Sequence, residues 1–217
     1  MRWFKVPFWI PWVMPQRLWR GPKYDSQGRP CVYLTFDDGP IPEVTPWVLE
    51  QLDLYGAKAT FFCIGDNGMR HREILQDISA QGHTIGNHTQ SHCHGRQTST
   101  EDYLLQTQQF HQLTAVKTRL FRPPYGRLTW AQERRLRRRG YRIIMWDLLS
   151  YDWQKELSPE MILKKLKTKV RPGSIIVFHD SLKAQKNLRA VLPEILHTIN
   201  DLDMAMLPLN DWTVPSD

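Results

Sequence analysis

Residues 31–40 read CVYLTFDDGP. The run from Cys31 to Phe36 is apolar, β-branched and aromatic, the character of a buried strand. It ends on two adjacent carboxylates, Asp37 and Asp38, followed by Gly39 and Pro40. Two like charges crowd each other unless a cation or a proton transfer uses them. The Gly-Pro pair stops the strand and lets both carboxylates turn toward whatever lies beyond its carboxyl end.

Outward from this stretch, short apolar runs alternate with helical patterns. Further strands are expected at 59–65, 83–87, 119–122, 141–148, 173–179 and 204–209. Thr45 and Pro46 read as an N-cap and first helical residue, with Val44, Trp47, Val48 and Leu52 on one face and Gly56 as the stop. Gly82 closes a helix that turns Ile74, Leu75 and Ile78 inward. Thr129 to Gln132 has capping-box spacing, and Ser158-Pro159 repeats the cap-then-proline start. The last helix carries Leu188, Leu192, Ile195, Leu196, Ile199 and Leu202, and Pro193 is expected to kink or restart it. Strand–helix alternation implies an α/β fold with parallel strands and right-handed crossovers. Seven units make a TIM-like barrel one unit short; an open doubly wound sheet is the alternative. Both put the active site at the carboxyl ends of the strands. The division expected is a Trp/Pro-rich arm over residues 1–29 and one barrel domain over 30–217.

Chemically capable residues gather at those strand ends. Asp37 and Asp38 follow the first strand, His88 and His92 the third, Arg122 and Tyr125 the fourth, Asp152 and Trp153 the fifth, and His179 and Asp180 the sixth. Two imidazoles four residues apart share a face if the segment turns helically. With Asp38 they make a three-ligand site for a divalent metal, zinc first, with an open fourth position. Asp37 then takes a proton from a water activated there. Arg122 grips Asp37 and keeps it ionised. The Tyr125 backbone N–H, freed after Pro123 and Pro124, faces an oxyanion. His179, expected on the opposite side of the mouth, protonates a leaving amine, with Asp152 holding its ring. His83, read within a strand, and His71, His111 and His197, read on helices, are taken as structural or solvated. Cys93 and His94 are read as neighbours of the site or surface residues. No G-x-S-x-G or P-loop is present, so serine-hydrolase and nucleotidyl chemistry lack support.

The chain of 217 residues carries 29 Lys and Arg against 22 Asp and Glu, a formal charge of +7. Much of the excess lies in ERRLRRRG at 133–140, read as a solvated helix face; no nucleic-acid recognition signature accompanies it, so no nucleic-acid partner is expected. Three scattered cysteines, Cys31, Cys63 and Cys93, form no disulfide framework and suit a reducing compartment. The N-terminus, MRWFKVPFWIPWVMPQRLWRG, is too short and proline-broken to span a bilayer, and no small-residue cleavage pattern follows it. A cytoplasmic setting is therefore expected. The arm is read as packed on the barrel, with peripheral membrane contact the less favoured alternative.

TFDDGP, HTQSH, FRPPYG, SYDW and IVFHD, in that order, resemble the five motifs of the polysaccharide deacetylases of the NodB-homology type, carbohydrate esterase family 4. The resemblance spans roughly residues 30 to 210. It implies a distorted (β/α)7 barrel, a divalent metal (zinc, with cobalt or nickel as substitutes) and removal of acetyl groups from N-acetylated sugars. Asp37 matches the family's base, Asp38, His88 and His92 its metal ligands, and Arg122 the residue orienting the base. Tyr125 matches the oxyanion residue, Asp152 and His179 the tuning partner and the acid. Trp153 and Val177 match walls of the acetyl pocket. Two positions depart from the usual pattern: Leu149 stands where many members have Asp, and Val177 where many have Leu. An O-acetyl esterase and a non-catalytic glycan-binding protein on the same fold are the alternative functions.

Overall fold

The computed structural model describes residues 3–210; Met1 and Arg2 of the expected arm and residues 211–217 of the expected barrel lie outside the described residues. Among the described residues eight strands alternate with helices. The strands are β1 (Cys31–Asp37), β2 (Thr60–Cys63), β3 (Thr84–Asn87), β4 (Leu120–Phe121), β5 (Arg142–Ile143), β6 (Leu148–Leu149), β7 (Ile175–His179) and β8 (Ala205–Met206). The helices are α1 (Ile10–Val13), α2 (Thr45–Asp53), α3 (Gly65–Arg70), α4 (Arg72–Ala80), α5 (Thr100–Thr114), α6 (Trp130–Arg138), α7 (Pro159–Lys167) and α8 (Gln185–Asp201). The strands are parallel throughout, in the order β5-β4-β3-β2-β1-β7-β6, with β8 beside the start of β1. This is an α/β fold, a curled parallel sheet of the distorted (β/α)7 barrel type.

The expected strand 141–148 divides in two. β5 pairs with β4, while β6 pairs with β7 at the far edge of the sheet. Only residues 144–147 connect them. A parallel crossover needs a dozen residues or more, so these two pieces cannot lie side by side. They form instead one bent segment that crosses from β4 to β7 and joins the two edges of the sheet. The arm satisfies part of the backbone along the bend. Leu18 N donates to Ile143 O (2.9 Å), Met145 N to Leu18 O (2.7 Å), Val6 N to Asp147 O (2.9 Å) and Leu149 N to Phe4 O (3.0 Å).

Strand parity builds two cores. Outward-facing Val32, Leu34 and Phe36 pack with Phe61, Ile176 and Phe178 and with the apolar faces of α2, α4 and α8. Inward-facing Cys31 and Tyr33 pack with Phe62, Leu120, Ile144 and Ile175 inside the barrel. The same parity of two carries Thr35 and then Asp37 to the inner face. Cys31 and Cys63 are buried free thiols.

Helix ends follow the sequence with two exceptions. Thr129 and Gln132 form a capping box, and Ser158 caps α7 ahead of Pro159. Thr45, however, is the first residue of α2 and Val44 its cap. The Thr45 hydroxyl is engaged elsewhere: it donates to Asp180 (2.6 Å) and accepts from Ile41 N (2.8 Å). α8 runs through Pro193 as one helix rather than restarting. The carbonyl that loses its partner belongs to exposed Arg189, where water can satisfy it. No helix among the described residues is long and apolar enough to cross a membrane.

The Phe36 ring lies between those of Phe61 (5.0 Å) and Phe178 (5.8 Å) at the middle of the outer core. Phe36→Ala is expected to cost about 3–5 kcal/mol of stability in urea unfolding. Trp12→Ala, by contrast, removes a ring that is 83% exposed, and its effect should stay within about 0.5 kcal/mol.

Candidate active site

Asp37 closes β1 on the inner face, and Arg122, just past β4, reaches it through the barrel. The guanidinium is fully buried and lies 4.1 Å over the Phe62 ring. Arg122 Nη1 donates to Asp37 Oδ1 (2.7 Å) and Thr35 Oγ1 (2.7 Å), and Nη2 donates to Met145 O (2.9 Å). Burial of the Asp37 carboxyl works most strongly against its ionisation, but the Arg122 guanidinium, joined by His88 and His179, outweighs this and holds its pKa below the usual range.

Asp38 leaves the strand with φ at 82°. That left-handed turn swings its carboxylate toward the two histidines. Asn67 Nδ2 donates to its carbonyl (2.8 Å) and fixes the turn from α3. Gly39 N donates to Asp180 Oδ1 (3.0 Å), and a Cβ at Gly39 would collide with that carboxylate. His88 and His92 lie on a loop that is not helical. Left-handed residues at Thr89 (φ 66°) and His92 (φ 56°) fold it back, a conformation that is rare for a β-branched residue. Asn87 Oδ1 accepts from Thr89 N (2.8 Å) and supports the turn.

The three side chains converge. His92 Nε2 lies 3.3 Å and His88 Nε2 3.7 Å from Asp38 Oδ1, and one ligand atom from each residue falls within 4.8 Å of the others. His88 Nδ1 donates to Arg122 O (2.8 Å), so its Nε2 carries the lone pair that faces the cradle. Burial lowers the His88 pKa to about 4 and moves His92 downward as well. Two neutral imidazoles and a carboxylate with one side open fit a divalent cation.

His179 ends β7 in direct register with Asp37 on β1. The two therefore stand on adjacent strands, not on opposite walls as expected, because matching parity points both inward. Asp152 Oδ1 accepts from His179 Nδ1 (2.8 Å), and its Oδ2 accepts from His179 N (2.8 Å). Burial acts to lower the His179 pKa; Asp152 first, then Asp38 and Asp37, together more than reverse this and raise it to about 9. The imidazolium thus keeps a proton on Nε2, facing the cavity.

These groups line a cavity of about 500 Å³, walled by Tyr125, Trp146, Leu149, Trp153 and Val177. Tyr125 takes φ 58°, and its ring lies 4.7 Å from that of His92. Its backbone N–H has no protein acceptor among the described residues. The Trp153 ring meets the His179 ring edge-on at 4.5 Å. A larger cavity, about 1040 Å³, opens at the other end of the strands, beside Thr84 and Leu120; no carboxylate is among its described lining residues. Its two histidines, His83 and His111, have no carboxylate beside them there, and no group of three metal-ligating side chains among the described residues lies in it.

All ten residues singled out in the sequence thus border this one cavity or, for Arg122 and Asp152, support it from behind. Sequence reasoning assigned no role to Asn67, Asp180 with Thr45, or Asn187, whose Nδ2 donates to Asp152 O (3.1 Å). Asn67, Asn187 and Asp180 reach backbone groups, Asp180 also taking the Thr45 hydroxyl, and only Asp180, beside His179, carried any signal of place. His83 precedes β3, where its Nδ1 accepts from Ala59 N (3.1 Å), and His71 sits between α3 and α4.

The polysaccharide deacetylase family profile matches residues 24–144. A peptidoglycan-N-acetylglucosamine deacetylase of Bacillus cereus is 35% identical over 159 residues, 69% of this chain and 56% of that protein. A chitooligosaccharide deacetylase of Azorhizobium caulinodans is 34% identical over 160 residues, 71% of this chain and 76% of that protein. The crystal structure of a peptidoglycan N-acetylglucosamine deacetylase superposes with a TM-score of 0.81 at 28% identity, covering 94% of this chain and 95% of that one. The chain therefore spans just over half the length of the first of these relatives. By profile, sequence and fold alike, this chain belongs to the polysaccharide deacetylase family.

Proposed function

We propose that the protein is a metal-dependent hydrolase that removes acetyl groups from an N-acetylated glycan of the chitooligosaccharide or peptidoglycan kind. One observation carries this reading. Two oppositely poised proton carriers, Asp37 held ionised by Arg122 and His179 held protonated by Asp152, stand in register beside the Asp38–His88–His92 cradle. Groups whose environments push their pKa values apart divide into base and acid.

Asp38, His88 and His92 would hold a divalent cation, zinc first, which would supply Lewis-acid polarisation of the acetyl carbonyl and of the attacking water. Asp37 accepts the proton that this water gives up as its oxygen bonds to the acyl carbon. The Tyr125 N–H donates to the oxyanion. His179 Nε2–H passes its proton to the amide nitrogen as the C–N bond breaks, leaving a free amine and acetate. Trp153, Val177 and Leu149 present an apolar wall sized for the acetyl methyl. Leu149 and Val177 are register partners, so the two departures from the usual family pattern fall side by side on that wall and bear on acyl fit together.

Acetate release over chitooligosaccharides, peptidoglycan fragments and acetylated xylan, with the metal varied, tests the reading; no release from any of them would leave a non-catalytic glycan-binding protein. Asp37→Asn should lower turnover by about 10²–10⁴-fold while elemental analysis still finds metal; joint replacement of His88 and His92 by Ala should empty the cradle. His179→Ala should hurt amide hydrolysis far more than hydrolysis of an O-acetyl ester, whose alkoxide leaves with less help. Equal losses would point to an esterase or remove His179 as the acid. In the pH profile, activity requires Asp37 ionised and His179 protonated. The alkaline limb should therefore fall no higher than about 9, lower with a cation beside Asp38, and Asp152→Asn should move it further down.

A further inference from the structure

The aromatic residues of the arm divide by burial. Trp19 is 8% exposed and packs with Leu136 and Ile143, its Nε1 donating to Met14 O (3.1 Å). Phe8, Trp12 and Val13 are 84%, 83% and 66% exposed, and Trp9 is half exposed. α1 buries none of its residues. Four large apolar side chains within residues 8–13 form a patch, unlike the single surface hydrophobes common on any protein. The loop that bears them is pinned at both ends, by Val6 N to Asp147 O and Leu18 N to Ile143 O.

Cations stand at the root of this loop. Lys5 is three residues from Phe8, within about 10 Å even along an extended chain. Partial burial first, and the Arg171 guanidinium next, push the Lys5 ammonium below its usual range, with Arg20 and Lys169 adding to the effect. The acid among them, Asp147, is 4% exposed and lies 3.4 Å from Arg20 and 4.0 Å from Arg171. The carboxylate is buried beneath the cations, so the outward face of the cluster is positive.

We propose that residues 8–13 are an interfacial anchor: Phe8, Trp9, Trp12 and Val13 enter the headgroup boundary of a bilayer, and Lys5, Lys169 and Arg171 meet its anionic lipids. Aromatic residues beside basic ones are the combination this boundary favours. A second copy of the chain would cover the apolar residues but would bring its own positive fringe against this one, whereas an anionic surface satisfies both features. The anchor is tied to the cavity wall. Tyr151 donates to Trp3 O (3.4 Å), and its ring lies 5.3 Å from that of Trp153. Docking would therefore set the orientation of the mouth against the bilayer. The inference rests on the arm and the cations beside it, and stands or falls apart from the catalytic reading.

Co-sedimentation of the full chain with vesicles of phosphatidylcholine, alone or mixed with phosphatidylglycerol, tests it. The wild type should sediment with the mixed vesicles and release as salt is raised. Joint Phe8→Ser and Trp12→Ser should weaken binding by roughly a hundredfold, about tenfold for each ring withdrawn from the interface. Joint Lys5→Glu and Lys169→Glu should remove the preference for anionic vesicles. Phe8 and Trp12 are exposed, so circular dichroism of the serine pair should be unaltered; Lys5 and Lys169 are half-buried, and the glutamate pair is read only once its circular dichroism matches the wild type. Wild-type protein left in the supernatant at low salt would overturn the proposal, as would a serine variant that binds like wild type. Self-association abolished by the serine pair, with no vesicle binding, would give the patch to a second copy and equally overturn it.

Discussion

The buried pair between Arg122 and Asp37 organises the centre of this protein. A guanidinium with no exposed surface and a carboxylate beside it would each be costly alone. Thr35, Met145 O and the Phe62 face take up what Asp37 leaves unsatisfied on Arg122. The pair thereby spans the barrel from β4 to β1 and pins the bend between β5 and β6. It also leaves a carboxylate ionised where burial alone would neutralise it. Removal of one partner of such a pair costs about 3–5 kcal/mol, because the other is left charged in the interior.

Backbone strain collects around that pair. Asp38, Thr89, His92, Tyr125 and Tyr151 all take positive φ without being glycine. Such residues cost of order 1–3 kcal/mol each and persist only where surrounding structure over-determines them. Here the parallel ladder, Asn67, Asn87 and the Asp180–Thr45 contact supply that rigidity. The result is a preformed cradle whose ligands need no rearrangement to converge. Preorganised ligands and proton carriers are what hydrolysis in a sheltered cavity requires.

The arm has two structural duties. Its pinned stretches, residues 4–6 and 18, complete the hydrogen bonding of a barrel whose ring is joined by a bent segment instead of a full pair of strands. Its free loop faces outward with aromatic side chains, and Lys5 stands at its root. One segment therefore closes the fold and presents a surface, and its four tryptophans, similar in sequence, end in different environments for that reason.

Much was legible in the chain itself. Short apolar runs, caps and proline starts gave the alternation of strand and helix, and the Gly39-Pro40 stop turned Asp37 and Asp38 toward the carboxyl end of the strand. The residue types at the strand ends, two carboxylates, a His pair, Arg122 and His179, marked a candidate site, and the fold brings them together. Local pattern does not carry information on how distant segments meet. It could not tell that 141–148 pairs with different strands at its two ends, that left-handed turns and not a helix join His88 to His92, or that Asp37 and His179 are neighbours in register. Those outcomes depend on closure of the sheet, which fixes long-range pairing after each element's own pattern is satisfied. Thr45 shows the same limit in one residue: it reads as a cap by its neighbours, yet tertiary contact gives its hydroxyl to Asp180, 135 positions away.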